Sequence, residues 1–316
     1  MKLAIIHQDL EWSEKELNRL FRGRGIDSKL FDIRKNTIED IIGPPKERVD
    51  LVLNRVYASV ANRNYLDNIR TLDLLVKIEE KGIPCLNSVE ATIFDYSKNL
   101  SAQRMKQNNI STPDTIYINA FNENERDKVD SFIEKYGFPI IMKRDIGGRG
   151  KDLSRIENYE NLLKVLDTVF SENYSKNYAA GFVLQPFIQP TKDHDYRIAI
   201  DGKELVYADG RTLLAMNGES PWIASISNGS QLVEYVPDQK EVELAIKATE
   251  SIGASFNVVD MTFTRNGPMI IENNPTPGYN PSIPSNSIRI KQFVESIVNR
   301  YEAENKPQLL TPNTSI

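Results

Sequence analysis

Residues 258–274 read VVDMTFTRNGPMIIENN, two β-prone runs closing on Asn266-Gly267, and this spacing predicts an antiparallel hairpin. Loop length then decides which side chains share a face, because side chains alternate along a strand. A two-residue loop would put Asp260 and Glu272 on opposite faces. A three-residue loop, Arg265-Asn266-Gly267 with Gly267 in the left-handed bulge position, pairs Thr264 with Pro268 and sets Asp260 across from Glu272. Asn274 then joins the same face, and Val259, Met261, Phe263, Met269 and Ile271 are left for a core on the other. Two opposed carboxylates and an amide oxygen suit a hard cation such as Mg²⁺. Two ordinary solvated acids on a strand edge are the other reading of the same residues.

A chain of 316 residues has room for two or three compact units around such a hairpin. Its 40% hydrophobic and 26% charged residues describe a globular protein, and the net charge of −5 gives no global footprint for nucleic acid. The opening MKLAIIHQDLEWSE reads as a strand and not as a leader, and no stretch reaches membrane-spanning length, so a cytoplasmic protein without membrane contact is expected. Cys85 is the only cysteine and His7 and His194 the only histidines, which excludes internal disulfides and leaves oxygen as the ligand for any metal.

The first ninety residues alternate strands at 3–6, 28–32, 51–54 and 84–87 with helices from Ser13 and over 65–80, a pattern that implies a parallel sheet with crossover helices. A second α/β segment begins near Val89, with helices over 98–107, 125–136 and 159–170 and strands at 114–117, 139–143 and 182–186. From Asp195 the strands 196–200 and 204–208 flank the turn Asp201-Gly202-Lys203, and antiparallel sheet is expected from there. Helices over 242–252 and 288–301 follow. The division predicted is 1–90, 91–188, 189–303 and a mobile tail, 304–316.

Three further stretches carry candidate chemistry. In PIIMKRDIGGRGKD a strand bearing Lys143 runs into Gly147-Gly148-Arg149-Gly150, where backbone N–H groups can approach phosphate oxygens, although a flexible hairpin reads the same. Lys143 lies in an apolar run and needs an anionic partner if buried. In VLQPFIQPTKDHDYRIAI the mostly apolar connector Gln185, Pro186, Phe187, Ile188 offers a slot for a flat adenine. Asp195 and Arg197 project from one face, free for a ligand or paired with each other. Lys98 alone reads as a surface lysine, and Arg55 as a substrate-carboxylate anchor or a surface salt bridge.

Taken in order, these signals resemble the RimK-type branch of the ATP-grasp superfamily, which includes the ribosomal-protein glutamate ligase and the carrier-protein ligases of lysine biosynthesis. Glu272-Asn273-Asn274-Pro275-Thr276-Pro277-Gly278 looks like the family's Glu-x-Asn-x-Ser/Thr-Pro-Gly, with Asp260 where the family has its first metal aspartate. The resemblance implies an α/β and α+β architecture, the ATP-grasp fold behind a Rossmann-like pre-ATP-grasp domain. It further implies that Asp260, Glu272 and Asn274 hold Mg²⁺ or Mn²⁺, two ions in all, and that Lys98, Lys143 and the loop Gly147, Gly148, Gly150 hold the phosphates of ATP. Pro186 and Phe187 would border the base, Asp195 would contact the nucleotide, and Arg197 and Arg211 would stabilise an acyl phosphate. The chain departs from the family at Gly148, usually Ser or Thr, at Asp152, usually Gly, and at Ile223-Ala224-Ser225 and Gly229-Ser230, where an Arg-Ser-Asn and a Gly-Gly are expected.

The activity implied is ADP-forming carboxylate–amine ligation through an acyl phosphate, joining an amino acid such as glutamate to a peptide, protein or small molecule. A carrier protein would be a further partner and a homo-oligomeric dimer or tetramer the assembly. A small-molecule kinase on the same fold and a non-catalytic ATP-binding regulator are the alternatives.

Overall fold

The computed structural model describes residues 1–120, 122–148, 150, 152–170, 181–215, 221–224, 226 and 229–304. β1 (Lys2–His7), β2 (Asp27–Asp32), β3 (Leu51–Asn54) and β4 (Cys85–Leu86) form a parallel sheet in the order β2-β1-β3-β4. Both faces of β1 are covered, as a parallel sheet requires. Leu3 and Ile5 meet Leu17 and Phe21 of α1 (Trp12–Gly23), while Ala4 and Ile6 meet Leu74, Leu75 and Ile78 of α3 (Ala61–Glu80). Between them α2 (Ile38–Ile42), which periodicity alone does not announce, starts on a reciprocal cap between Thr37 and Asp40.

α4 (Val89–Tyr96) and α5 (Lys98–Gln107) lead to a second sheet of β5 (Ile116–Ile118), β6 (Ile140–Arg144), β7 (Ser154–Ile156) and β8 (Phe182–Pro186), ordered β5-β8-β6-β7. Every pairing in it is antiparallel, which corrects the expectation that antiparallel sheet begins only at Asp195. The reason is connectivity: β6 turns into β7, a three-residue strand not expected from the sequence, through the glycine loop and not through a crossover helix. Ile140 and Met142 face α6 (Glu123–Tyr136) and α7 (Tyr159–Val169), so Ile141 and Lys143 face the other way.

The third sheet, β11-β10-β9-β12-β13, is antiparallel and comprises β9 (His194–Asp201), β10 (Glu204–Thr212), β11 (Leu232–Val233), β12 (Phe256–Thr264) and β13 (Gly267–Asn274). α8 (Gln239–Ser251) packs on it through Ala245 and Ala248. α9 (Asn286–Glu304) packs Ile290, Phe293 and Ile297 into one core with Leu3, Leu17 and Phe21 of the first unit. The first and third sheets thus share a hydrophobic core, whereas the second has its own. The expected tail lies outside the described residues beyond Glu304. No helix among the described residues is long and apolar enough to cross a membrane.

Candidate active site

A cavity of about 750 Å³ opens between the three sheets, and every residue singled out from the sequence for metal, nucleotide or catalysis lines it. Its floor is the hairpin. β12 and β13 pair Thr264 with Gly267, Met261 with Ile270 and Asp260 with Glu272. The loop is therefore Arg265-Asn266, two residues and not the three expected, with Gly267 at φ 105°. Asp260 still faces Glu272 because the extra residue is Ile271, a bulge on β13, instead of a residue in the turn. The core face changes accordingly. Ile270 is fully buried beside Val259 and Met261, while Met269 and Ile271, both expected there, are half-buried, and Ile271 lines the cavity.

Register across the sheet then places charges in rows. Arg197 on β9 lies between Asp209 on β10 and Asp260 on β12, and Asp195 lies beside Arg211. The guanidinium of Arg197 grips Asp260 with both arms, Nε to Oδ1 at 2.7 Å and Nη2 to Oδ2 at 2.8 Å. Arg211 Nη2 approaches Oδ1 at 3.2 Å. Burial works against the Asp260 carboxylate, but the two arginines prevail and hold its pKa below the ordinary value. Burial pushes Asp195 up to about 6 despite Arg211.

Lys98 is brought inward from a distance. Asp145, just after β6, accepts hydrogen bonds from Ser97 Oγ at 2.9 Å and Asn99 N at 2.7 Å, capping α5 where its dipole favours an anion. Lys98 Nζ then donates to Gly147 O at 2.9 Å and lies 3.2 Å from Glu272 Oε1. Lys143 reaches the same space from β6; burial and the neighbouring Lys98 ammonium depress its pKa against the attraction of Glu272 and Asp260. Anionic oxygens arriving here would relieve both lysines.

The glycine loop is docked on the first unit. Asn62 Nδ2 donates to Gly148 O at 3.1 Å, and a Cβ on Gly147 would come within 2.8 Å of Asn62 Oδ1. The absence of side chains therefore permits this close approach as well as any approach to phosphate. Asp152, where the family has glycine, sits at φ 55°, a left-handed backbone that glycine adopts more readily than aspartate, and pairs its carboxylate with Arg144. Arg149 and Ser225 lie outside the described residues.

Pro186, Phe187 and Ile188 form one apolar wall, opposed by Trp222, whose ring lies edge-on to Phe187 at 6.2 Å. The indole Nε1 of Trp222 is buried and makes no hydrogen bond. Arg155 stacks over Phe187 at 4.3 Å, and Gln185 Nε2 donates to Thr115 Oγ1 at 2.8 Å. Trp222, Asp95, Asp209 and Arg289 line the same cavity and were not expected there from the sequence. Asp95, three residues before Lys98, had a positional signal, and burial pushes it up to about 7. Arg289 Nη2 holds Asp209 Oδ2 at 2.9 Å from a helix far along the chain, for which no local signal exists.

Arg55 is neither of the things its sequence suggested: it is 2% exposed and does not line the cavity. Among the described residues no three His, Cys, Asp or Glu converge, so a cation at the hairpin would rest on Asp260, Glu272, Asn274 and ligands from outside the chain. The donors fit a hard divalent ion. One adjustment is needed, since Asn274 turns Nδ2 toward Asp260 Oδ2 at 3.4 Å and must present Oδ1 instead.

Residues 96–297 match the model of the RimK-like ATP-grasp domain. A probable alpha-L-glutamate ligase of Rhodopirellula baltica is 24% identical over 287 residues, 88% of this chain and 66% of that protein. The alpha-aminoadipate–LysW ligase LysX of Saccharolobus solfataricus is 24% identical over 233 residues, 73% of this chain and 80% of that protein. The crystal structure of the D-alanine–D-alanine ligase of Bacillus anthracis complexed with ATP superposes with a TM-score of 0.64 at 17% identity, covering 96% of this chain and 99% of that one. Sheet order, cavity and a domain match over more than half its length agree: this chain belongs to the RimK-like ATP-grasp family.

Proposed function

We propose that this protein is an ATP-dependent carboxylate–amine ligase that activates a carboxylate as an acyl phosphate and passes it to an amine, releasing ADP and phosphate. The observation that carries the reading is the convergence in one cavity of an apolar slot, two inward lysines and oxygen donors flanked by an arginine pair. Phosphoryl transfer is chiefly positioning and charge neutralisation, so this set suffices without a histidine base. Pro186, Phe187, Ile188 and Trp222 would enclose the adenine, with Gln185 at the rim of the slot. Asp195, whose carboxylate oxygens can accept from hydroxyl groups, would meet the ribose. Lys98 and Lys143 would neutralise phosphate oxygens, aided by backbone N–H groups of Gly147, Gly148 and Gly150. Asp260, Glu272 and Asn274 would hold Mg²⁺ or Mn²⁺, two ions, which when bound offset charge on the phosphates. Arg197 and Arg211 border Asp260 and would stabilise the acyl phosphate oxygens.

The names of the relatives make an acidic amino acid such as glutamate the first candidate for one substrate, and a peptide, small molecule or carrier protein for the other. The enzyme would act in the cytoplasm as a homo-oligomer. ADP release across amino acids paired with carboxylates, peptides and carrier proteins, with hydroxylamine added to trap the activated acid, tests it. Formation of a hydroxamate supports the ligase and rules out the kinase. ADP release that requires an alcohol and yields no hydroxamate would point to the kinase, and absence of ADP release throughout to a nucleotide-binding regulator.

A further inference from the structure

The segment that follows Asn274 has two prolines, Pro275 and Pro277, and proline has no backbone N–H. Two carbonyls are thus the natural handles on this stretch, and side chains of the first unit take both. Asn87 Nδ2 donates to Pro275 O at 2.9 Å, and Arg55 Nη2 donates to Pro277 O at 2.7 Å. Between them lies Thr276, which lines the cavity.

Arg55 is itself held rigidly. Its side chain is 1% exposed, its Nη2 also donates to Tyr57 Oη at 3.1 Å, and its Nε lies 3.7 Å from Glu14 Oε1. The guanidinium stacks over the rings of Tyr57 at 5.0 Å and Tyr279 at 5.6 Å. Glu14, fully buried, accepts from Ser13 Oγ at 2.9 Å and from Tyr57 Oη. Burying an ion pair this deeply is costly, and a well-packed apolar pair would serve stability as well. What an apolar pair cannot supply is a charged donor aimed at one carbonyl three residues past Asn274.

We infer that Arg55 is a positioning residue: through Pro277 O it fixes the backbone leaving Asn274, so that the first unit sets the geometry of the cation-binding hairpin. The inference rests on the reading of Asp260, Glu272 and Asn274 as cation ligands. Partners that hydrogen-bond a metal ligand directly typically change metal affinity by about 10–100-fold when removed, so Arg55, which acts three residues beyond Asn274, is expected near the low end of that range.

The test is Mn²⁺ binding in the presence of ADP, followed by electron paramagnetic resonance of the free ion, alongside thermal unfolding. Arg55→Lys keeps the charge but loses the fork and the stacking. The double variant Arg55→Met, Glu14→Gln removes the donor without stranding a buried charge, which protects the fold. Both should bind Mn²⁺ at least about tenfold more weakly, the double variant with a melting temperature near that of the wild type. A folded double variant with wild-type Mn²⁺ affinity would overturn the inference and leave the metal reading standing. A wild-type protein that binds no Mn²⁺ with ADP would overturn the metal reading and this inference with it.

Discussion

Glu272 and Asp95 share a cavity, yet their environments predict opposite kinds of experiment. Glu272 makes its ion pair with Lys98 and keeps 30% of its side chain exposed, so little of the fold depends on it. Glu272→Gln keeps the shape and deletes charge where a cation and phosphates would meet; ADP formation should fall by about 100-fold or more with the melting temperature nearly unchanged. Unaltered turnover would sink the cation assignment. Asp95 is half-buried in the cavity wall with Glu272 nearby, and burial of its carboxyl lifts it from an ordinary 3.8 to about 7. A carboxyl whose folded pKa is raised contributes stability below its unfolded pKa and loses it as pH rises through the folded one. In the absence of nucleotide and metal, Asp95→Asn, which cannot ionise, should therefore melt higher than wild type at pH 8, by about 2 °C or more, with the gap closing toward pH 4. A constant gap would show that Asp95 does not titrate in the fold. At this scale the sequence was legible where chemistry is local, as at Asp260 and Glu272, and illegible where burial is made by remote partners. Lys98 reads as a surface residue until Asp145 caps its helix, and Arg55 as exposed until Glu14 and Tyr279 close over it.

Among the elements, α5, β3 and β8 begin and end where periodicity and capping place them, because those signals are contained within each segment. The hairpin shows the limit of such signals. Facing carboxylates required one extra residue, and turn preferences placed it at Gly267, but the strand takes it at Ile271. Apolar alternation could not decide, since Met269, Ile270 and Ile271 are interchangeable as core residues until the cavity claims one side. Gly267 retains a conformational role in the shorter turn: at φ 105° a Cβ added to it would meet no atom within 4 Å, so only backbone strain opposes a side chain. Gly267→Ala should cost about 1 kcal/mol in urea unfolding while sparing nucleotide affinity. A neutral substitution would mean that the turn relaxes to a different type. β7 and the antiparallel order of the second sheet went unread for a related reason, as three residues after a glycine loop carry too little pattern to announce a strand.

For the whole molecule, the distribution of cores decides what can move. Phe256, Phe293 and Val294 pack with Leu3, Leu17 and Phe21, so the first and third sheets form one apolar body that the sequence, read as separate units, did not reveal. The second sheet keeps a core of its own around Ile118, Ile140 and Leu184. It meets the rest through hydrogen bonds such as Ser97 to Asp145, Lys98 to Gly147 and Asn62 to Gly148. Polar interfaces of this kind exchange readily with water, and relative motion across them is the expectation. The cavity lies on the seam, with Pro186 and Phe187 contributed from one side and Trp222 and the hairpin from the other. Nucleotide should therefore act as the missing contact between the two bodies. Backbone hydrogen exchange over β5–β8 should be faster than over β1, β9 and β12 in the free protein, and ATP with Mg²⁺ should slow the second sheet most, the shared core least. Uniform slowing across all three sheets would mean instead that the molecule opens as one unit, and that the polar seam is as stable as the apolar core it divides.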